Sequence, residues 1–131
     1  MAFVNPARNY ILNEVGDNHI TSLALYTTAP DEDGVGGVEV GAGLGYARQV
    51  VSGLFTLPPV GGVMANTTLI TFGPATGDWG TIEGIALIND AGSFVPAGDV
   101  IIRWLPASRT VTEGGTYQIA IGDLIIAMED A

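Results

Sequence analysis

Apolar and β-branched residues recur along the chain in short runs, and each run is closed by Gly, Pro, Asn or Asp. Runs of this length and spacing are typical of an all-β sandwich or barrel. We therefore predict an all-β, single-domain antiparallel β-sandwich, with jelly-roll and immunoglobulin-like topologies both left open. The predicted strands cover about 20–28, 45–57, 66–73, 80–89, 98–105, 115–121 and 123–129.

Alternation with a period of two indicates which strands are buried. In the run 80–89 both faces become apolar after Glu83, which predicts a strand buried on both sides in its later half. Arg103 interrupts the apolar run 98–105, and we expect it to pair with a carboxylate. Glu83 on the neighbouring strand is the predicted partner.

The N-terminal residues 1–19 form an arm with one short predicted helix. Asn5 is a candidate N-cap and Pro6 suits the first helical position, so we expect a helix over Ala7–Val15 that Gly16 ends.

Residues 29–45 lack the strand pattern of the rest of the chain and are rich in acidic residues and glycine. They predict a long, irregular loop, and loops of this length are usually functional or mobile. Asp31, Glu32 and Asp33 would suit calcium as oxygen ligands. However, Ala42 occupies the twelfth position counted from Asp31, where an EF-hand needs a bidentate Glu. We favour a solvated acidic turn and predict no metal or cofactor, with calcium left open.

Length, composition and charge limit the number of domains and the kinds of partner that we expect. The chain has 131 residues, which fits one domain (1–131), and it has no cysteine. Its formal net charge of -10 disfavours a nucleic-acid partner, because binding to phosphates relies on Lys and Arg. There is no basic stripe for a membrane surface and no apolar run long enough to span a bilayer, and we expect no secretory leader.

Catalytic signatures are absent from the sequence. His19 is the only histidine, no Gly-x-Ser-x-Gly elbow occurs, and the glycines do not form a phosphate-binding loop. Fourteen acidic residues make coincidental carboxylate pairs inevitable, so such pairs carry little weight. We predict that the protein is not an enzyme; a polysaccharide-degrading activity is the competing hypothesis.

Three side chains are candidates for recognition as well as for packing. Trp79 lies in a turn between Asp78 and Gly80, where its ring would either cover the end of a sheet or meet a neighbouring subunit. Tyr46 can anchor the core or a contact, and Arg48 can pair across a strand or across an interface. Asn66-Thr67-Thr68 matches a glycosylation acceptor, although nothing indicates secretion.

Several blocks occur in a recognisable order: Arg8–Asn13, Leu23–Pro30, Gly45–Val51 (GYARQVV) and Gly77–Leu87 (GDWGTIEGIAL). In this order they resemble a family of small structural proteins of tailed bacteriophages, whose members are decoration (cement) or fibre-associated proteins. The resemblance runs from about Arg8 to the C-terminus. The chain departs from the family pattern at 54–62, where Pro58-Pro59 and Gly61-Gly62 predict a projecting loop.

The resemblance implies a virion structural protein made in the host cytoplasm. Our first hypothesis is a capsid decoration protein on the outer capsid surface, bound to the major capsid protein and to itself as a homotrimer. The alternative is a tail or head-fibre module that binds a host surface glycan. The predicted capsid or subunit contacts are Phe3, Val4, Asn5, Arg8, Tyr10, Asp31, Asp33, Tyr46, Arg48 and Trp79.

Overall fold

A computed structural model describes residues 3–55, 61–90 and 99–127 of the chain. One helix precedes a series of short strands, and the strands pair only in the antiparallel sense. The helix α1 covers Asn5–Asn18. The strands are β1 Ser22–Thr28, β2 Val38–Glu39, β3 Gln49–Val50, β4 Val63–Ala65, β5 Ile70–Phe72, β6 Gly80–Ile82, β7 Gly84–Asn89, β8 Asp99–Trp104, β9 Arg109–Val111, β10 Tyr117–Ile119 and β11 Ile125–Ala127.

The largest sheet has five strands in the order β2-β1-β7-β8, and β3 also pairs with β1. β2 meets the end of β1 at Tyr26 and Thr28, whereas β3 meets its start at Ser22 and Leu23. The remaining strands form three two-stranded sheets, β10-β5, β11-β4 and β6-β9. The all-β class is confirmed, whereas the jelly-roll or immunoglobulin-like arrangement and the single domain stay predictions.

The main core lies on one side of the five-stranded sheet. β1 contributes Leu23 and Leu25 to it, and the two-stranded sheets add Phe72, Ile82 and Ile126. A smaller cluster of Ala24, Tyr26, Ala86 and Ile88 fills the other side. β7 is buried along its whole length, which confirms the prediction that this run is covered on both faces.

The predicted helix is too short and its predicted cap is wrong. α1 begins at Asn5 behind Val4 as N-cap, and no side chain caps it. It continues through Gly16 to Asn18. Glycine inside a helix costs only about 1 kcal/mol relative to alanine. We attribute the continuation to Leu12 and Val15, because both pack against the core.

The predicted strand 80–89 is two strands in different sheets. β6 pairs with β9, whereas β7 pairs with β1 and β8. The chain changes sheet at Glu83, whose N–H donates to the carbonyl of Tyr26 at 2.8 Å. The predicted ion pair between Arg103 and Glu83 is wrong. Arg103 donates to the carbonyl of Pro30 at 3.4 Å, and Glu83 accepts a hydrogen bond from Ser108.

The strand prediction for 45–57 is the least accurate: within the described residues 45–55 the structure has only β3 and an isolated bridge between Phe55 and Asn66. Sequence patterning missed β2, β4 and β9, each of two or three residues. The predicted strand ends at 56–57, 98 and 128–129, and the Pro58-Pro59 loop, lie outside the described residues.

Candidate functional site

The turn at Gly45 sets the direction of the most conspicuous sequence block. Gly45 has a φ of 75°, and a Cβ there would lie 2.6 Å from the carbonyl oxygen of Pro74. Only glycine fits both the left-handed conformation and this close approach. The turn carries the chain past Pro74, and the next residue, Tyr46, is directed into the fold.

The hydroxyl of Tyr46 connects β1 with β2. It accepts a hydrogen bond from the N–H of Leu25 at 3.1 Å and donates to Glu39 Oε2 at 2.6 Å. The ring stacks on Phe72 and meets Trp79 edge-on, with centroids 6.1 and 5.6 Å away. Tyr46 therefore joins the core to a polar network at the edge of the sheet.

Arg48 is the centre of that network. Its guanidinium binds both oxygens of Glu39, with 3.0 Å from Nε to Oε2 and 2.7 Å from Nη2 to Oε1. Nη1 lies 2.6 Å from Oδ1 of Asp90, at the end of β7. The other oxygen of Asp90 accepts from the hydroxyls of Ser22 and Thr21. We call Tyr46, Glu39, Arg48 and Asp90 the polar clasp.

The pKa values of Glu39, Asp90 and Arg48 all favour the ionised forms of these side chains. Burial opposes ionisation of Glu39, but hydrogen bonds from Arg48 and Tyr46 outweigh it and hold the pKa of Glu39 below its usual range. Burial likewise opposes ionisation of Asp90, yet hydrogen bonds from Ser22 and the charge of Arg48 lower the pKa of Asp90. The bonds to Glu39 raise the pKa of Arg48. Burial, and then the bond to Glu39, raise the pKa of Tyr46.

This arrangement ties together four parts of the chain: the start of β1, β2, the segment before β3, and the end of β7. Both carboxylates are neutralised by one guanidinium, and each receives at least one hydroxyl donor. Charge-assisted, bidentate bonds of this kind fix geometry strongly. The clasp is suited to fixing the 40–48 segment against the sheet.

Trp79 has a similar structural role. Trp79 is 4% exposed, and its indole N–H donates to the carbonyl of Leu44 at 2.7 Å. The ring was expected either to cover the end of a sheet or to meet a neighbouring subunit, and the structure shows it packed within the chain. The subunit-contact role predicted for Tyr46, Arg48 and Trp79 stays a prediction.

The acidic segment folds back on itself. Asp31 Oδ1 accepts from the N–H groups of Asp33 and Val35, and the N–H of Asp31 donates to the carbonyl of Val35. A Cβ on Gly34 would lie 3.4 Å from Val100, so this turn lies against the small cluster of the sheet. Among residues 3–55, 61–90 and 99–127, no three His, Cys, Asp or Glu side chains are placed to hold a metal ion.

Most of the predicted N-terminal contact residues are exposed, as are Asp31 and Asp33. Phe3 and Val4 are exposed, and Tyr10 on α1 is 72% exposed. Asn5 is exposed, and Nε of Arg8 donates to the carbonyl of Phe3 at 2.6 Å. These N-terminal residues lie within positions 3–10 of the sequence, apart from the clasp and from Asp31 and Asp33.

Sequence reasoning missed the role of Asn66. This side chain is 2% exposed, and its amide group forms four hydrogen bonds. Nδ2 donates to the carbonyls of Thr68 and Ala120, and Oδ1 accepts from the N–H groups of Gly122 and Leu124. A glycan acceptor must be accessible, so Asn66 is a structural amide. Its position after a short apolar strand offered no signal for these long-range bonds.

A cleft of about 320 Å³ was also not predicted. Apolar and aromatic side chains supply most of its lining, and Gln118 and Asp123 supply polar groups. Trp104 and Tyr117 are its aromatic residues, and the guanidinium of Arg109 lies 5.7 Å from the centre of the Tyr117 ring.

In the described part of the chain, no helix is both long and apolar enough to cross a membrane.

Short antiparallel strands, a clasp that serves the fold, and exposed apolar side chains at the N-terminus describe a small β-rich structural protein. The chain matches the family described as Podophage GP4 fiber I protein gp80 over residues 5–127, and it belongs to this family. It is therefore a virion structural protein of tailed phages, as the order of sequence blocks indicated. Searches of curated proteins and of solved structures found no match to the chain.

Proposed function

We propose that the chain is a fibre-associated component of the phage virion that acts by binding other virion proteins. The observation that carries this proposal is the match to a fibre protein family over residues 5–127, almost the whole chain. The described strands have at most seven residues and the helix has 14, so this part of the chain contributes a folded module rather than an extended shaft.

The attachment surface in this proposal is the N-terminal segment. Phe3, Val4 and Tyr10 place apolar and aromatic area in solvent, and such groups are frequent anchors of protein interfaces. Asp31 and Asp33 add an exposed acidic turn that would suit a basic patch on a partner. Binding, not catalysis, is the proposed activity, because the carboxylates of the clasp are engaged by Arg48.

Decoration of the capsid is the second candidate. The net charge of -10 favours it, because an acidic protein is kept away from packaged DNA and suits the outer surface. In this form the partner is the major capsid protein, and homotrimers sit at three-fold positions.

A host surface glycan is the alternative partner for a fibre module. The cleft favours it, because it combines Trp104 with the polar Gln118 and Asp123. Labelled protein should then bind host cells, and Trp104→Ala should abolish that binding while Val50→Ala, on an exposed strand, should not. Release of reducing sugars from host envelopes would instead indicate an enzyme.

The test of location is electron microscopy of labelled virions. A short epitope is inserted in the exposed turn at Ser52 and Gly53, where a Cβ on Gly53 would meet open space. Gold-labelled antibody at a few fixed fibre positions supports the fibre proposal. Label spread over the whole capsid would reject it in favour of decoration. Virions without the insertion, treated with the same antibody, are the control.

A further inference from the structure

The two-stranded sheet of β4 and β11 has an outward face made only of apolar side chains. The register pairs Val63 with Ala127 and Ala65 with Ile125. Directly opposed residues of an antiparallel pair point to the same side, so these four side chains share one face. Val63 is 41% and Ile125 52% exposed, whereas Met64 between them is buried. We call Val63, Ala65, Ile125 and Ala127 the apolar face.

Exposed apolar residues continue into the adjoining segments. Leu69, just before β5, and Ile121, just after β10, are both more than half exposed. Asn66 ties these segments to β11, because its amide group binds the backbone of Thr68, Ala120, Gly122 and Leu124. The apolar face therefore stands on a backbone that is held in place, which suits a preformed interface.

The two segments that form and adjoin this face carry little charge. Asp123 is the only charged residue in 61–72 and 117–127, although Glu129 and Asp130 follow in the sequence and the chain has 14 acidic and four basic residues. Two copies with a net charge of -10 repel each other wherever their acidic surfaces approach. The side chains of the apolar face add no charge to this repulsion, and they offer apolar area that a contact can bury.

We propose that the apolar face is where copies of this chain pack against one another. A surface without charge offers a basic partner no ion pairs. The same apolar surface on a second copy can pack against this face. Contacts between copies of one chain commonly use the same patch on each copy, and homo-oligomer interfaces are the more apolar ones. A contact that uses the same patch on both copies makes a dimer, so it is separate from the homotrimer of the capsid-decoration candidate.

The test is the mass of the full chain in solution, measured by light scattering after size exclusion over a dilution series. We expect an oligomer of the wild-type chain, and a monomer for Ile125→Glu and for Val63→Glu. Val50→Glu is the matched control: it makes the same change in charge at an exposed valine of β3, in a different sheet. This variant should keep the wild-type mass.

Circular dichroism shows whether each variant is folded. If the Glu variants do not fold, Ile125→Thr keeps a β-branched side chain, and its dissociation constant should rise about tenfold or more. A wild-type chain that is monomeric at every concentration would overturn the proposal. So would an oligomer whose mass does not change in folded Ile125→Glu and Val63→Glu. If the wild-type monomer instead binds another virion protein and Ile125→Glu loses that binding, the face belongs to that partner and the proposal is wrong.

Discussion

Arg48 and Glu39 form a bidentate ion pair, with Nε and Nη2 of the arginine 3.0 and 2.7 Å from the two carboxylate oxygens. Glu39 belongs to β2, and Arg48 stands immediately before β3. Both strands pair with β1, so the ion pair closes the segment between them. Asp90 on the other side of Arg48 extends the connection to the end of β7.

Replacement of Arg48 by Gln should lower the free energy of unfolding by about 1–2 kcal/mol, since two partly buried carboxylates lose their cation. Urea denaturation measures this change. Arg109→Gln is the control, because Arg109 contacts the Tyr117 ring at 5.7 Å without an ion pair to a carboxylate in the described residues. It should cost about 0.5 kcal/mol. Equal losses for the two variants would show that the clasp adds no stability.

Acid should weaken the fold through the same clasp. The pKa values of Glu39 and Asp90 are lowered in the folded chain, so on acidification the unfolded chain takes up protons first. Stability should be nearly constant from pH 7 to about 5 and should fall below about pH 4, where carboxylates of the unfolded chain titrate. Urea midpoints across this range measure the effect. Arg48→Gln should show a shallower fall, and an unchanged slope would contradict this account.

Alkali should also weaken the fold, in this case through Tyr46. Burial and the bond to Glu39 raise the pKa of Tyr46, so the folded chain keeps a proton that the unfolded chain loses. Stability should therefore decline above about pH 10, where unfolded tyrosine ionises. Tyr46→Phe should be less stable at pH 7, because Glu39 loses a donor, but its stability should decline less with alkali. Denaturation of both proteins at two pH values tests this difference.

Gly45→Ala should destabilise the chain by more than about 2 kcal/mol. A left-handed alanine costs about 1–2 kcal/mol, and a Cβ 2.6 Å from the Pro74 oxygen adds a backbone clash. Gly53→Ala is a matched control, since Gly53 has a φ of 78° but faces open space. It should lose only about 1 kcal/mol. Thermal or urea unfolding compares the two, and similar losses would remove the close approach as a cause.

Asn66→Asp should cost about 2–4 kcal/mol, because a carboxylate would face the two carbonyls to which the amide now donates. Asn5→Asp, on the exposed first turn of α1, makes the same chemical change and should stay within about 0.5 kcal/mol of wild type. Urea denaturation at pH 7 measures both. A tolerated Asn66→Asp would show that this corner can rearrange.

Combined replacement of Phe3, Val4 and Tyr10 by Ala should weaken attachment to virions about tenfold or more and leave the fold intact, because all three are exposed. Sedimentation of the purified variant with virions that lack the chain measures attachment. Val38→Ala and Val50→Ala together are the control, because both are exposed on β2 and β3, outside the N-terminal segment and the acidic turn. Full attachment of the triple variant would exclude the N-terminal segment as the contact.

Sequence patterns locate long strands better than short ones. The predictions located β1 and β8 within two residues of their described ends and β7 at its C-terminal end only, because six or seven residues of apolar periodicity carry a clear signal. β2 and β3 have two residues each and leave no periodic pattern. Their positions depend on pairing with β1, which the local sequence does not encode.

By itself, the sequence determined the all-β class, the turn glycines, the buried run after Glu83 and the membership of a phage structural family. Each of these depends on residues close together in the chain or on the order of short blocks. Only the tertiary structure decided that Arg48 binds Glu39 and Asp90, that Asn66 is a buried amide, and that Val63 and Ile125 share an exposed face. These relationships join residues 9 to 62 positions apart, and strand register, not local propensity, brings their side chains together.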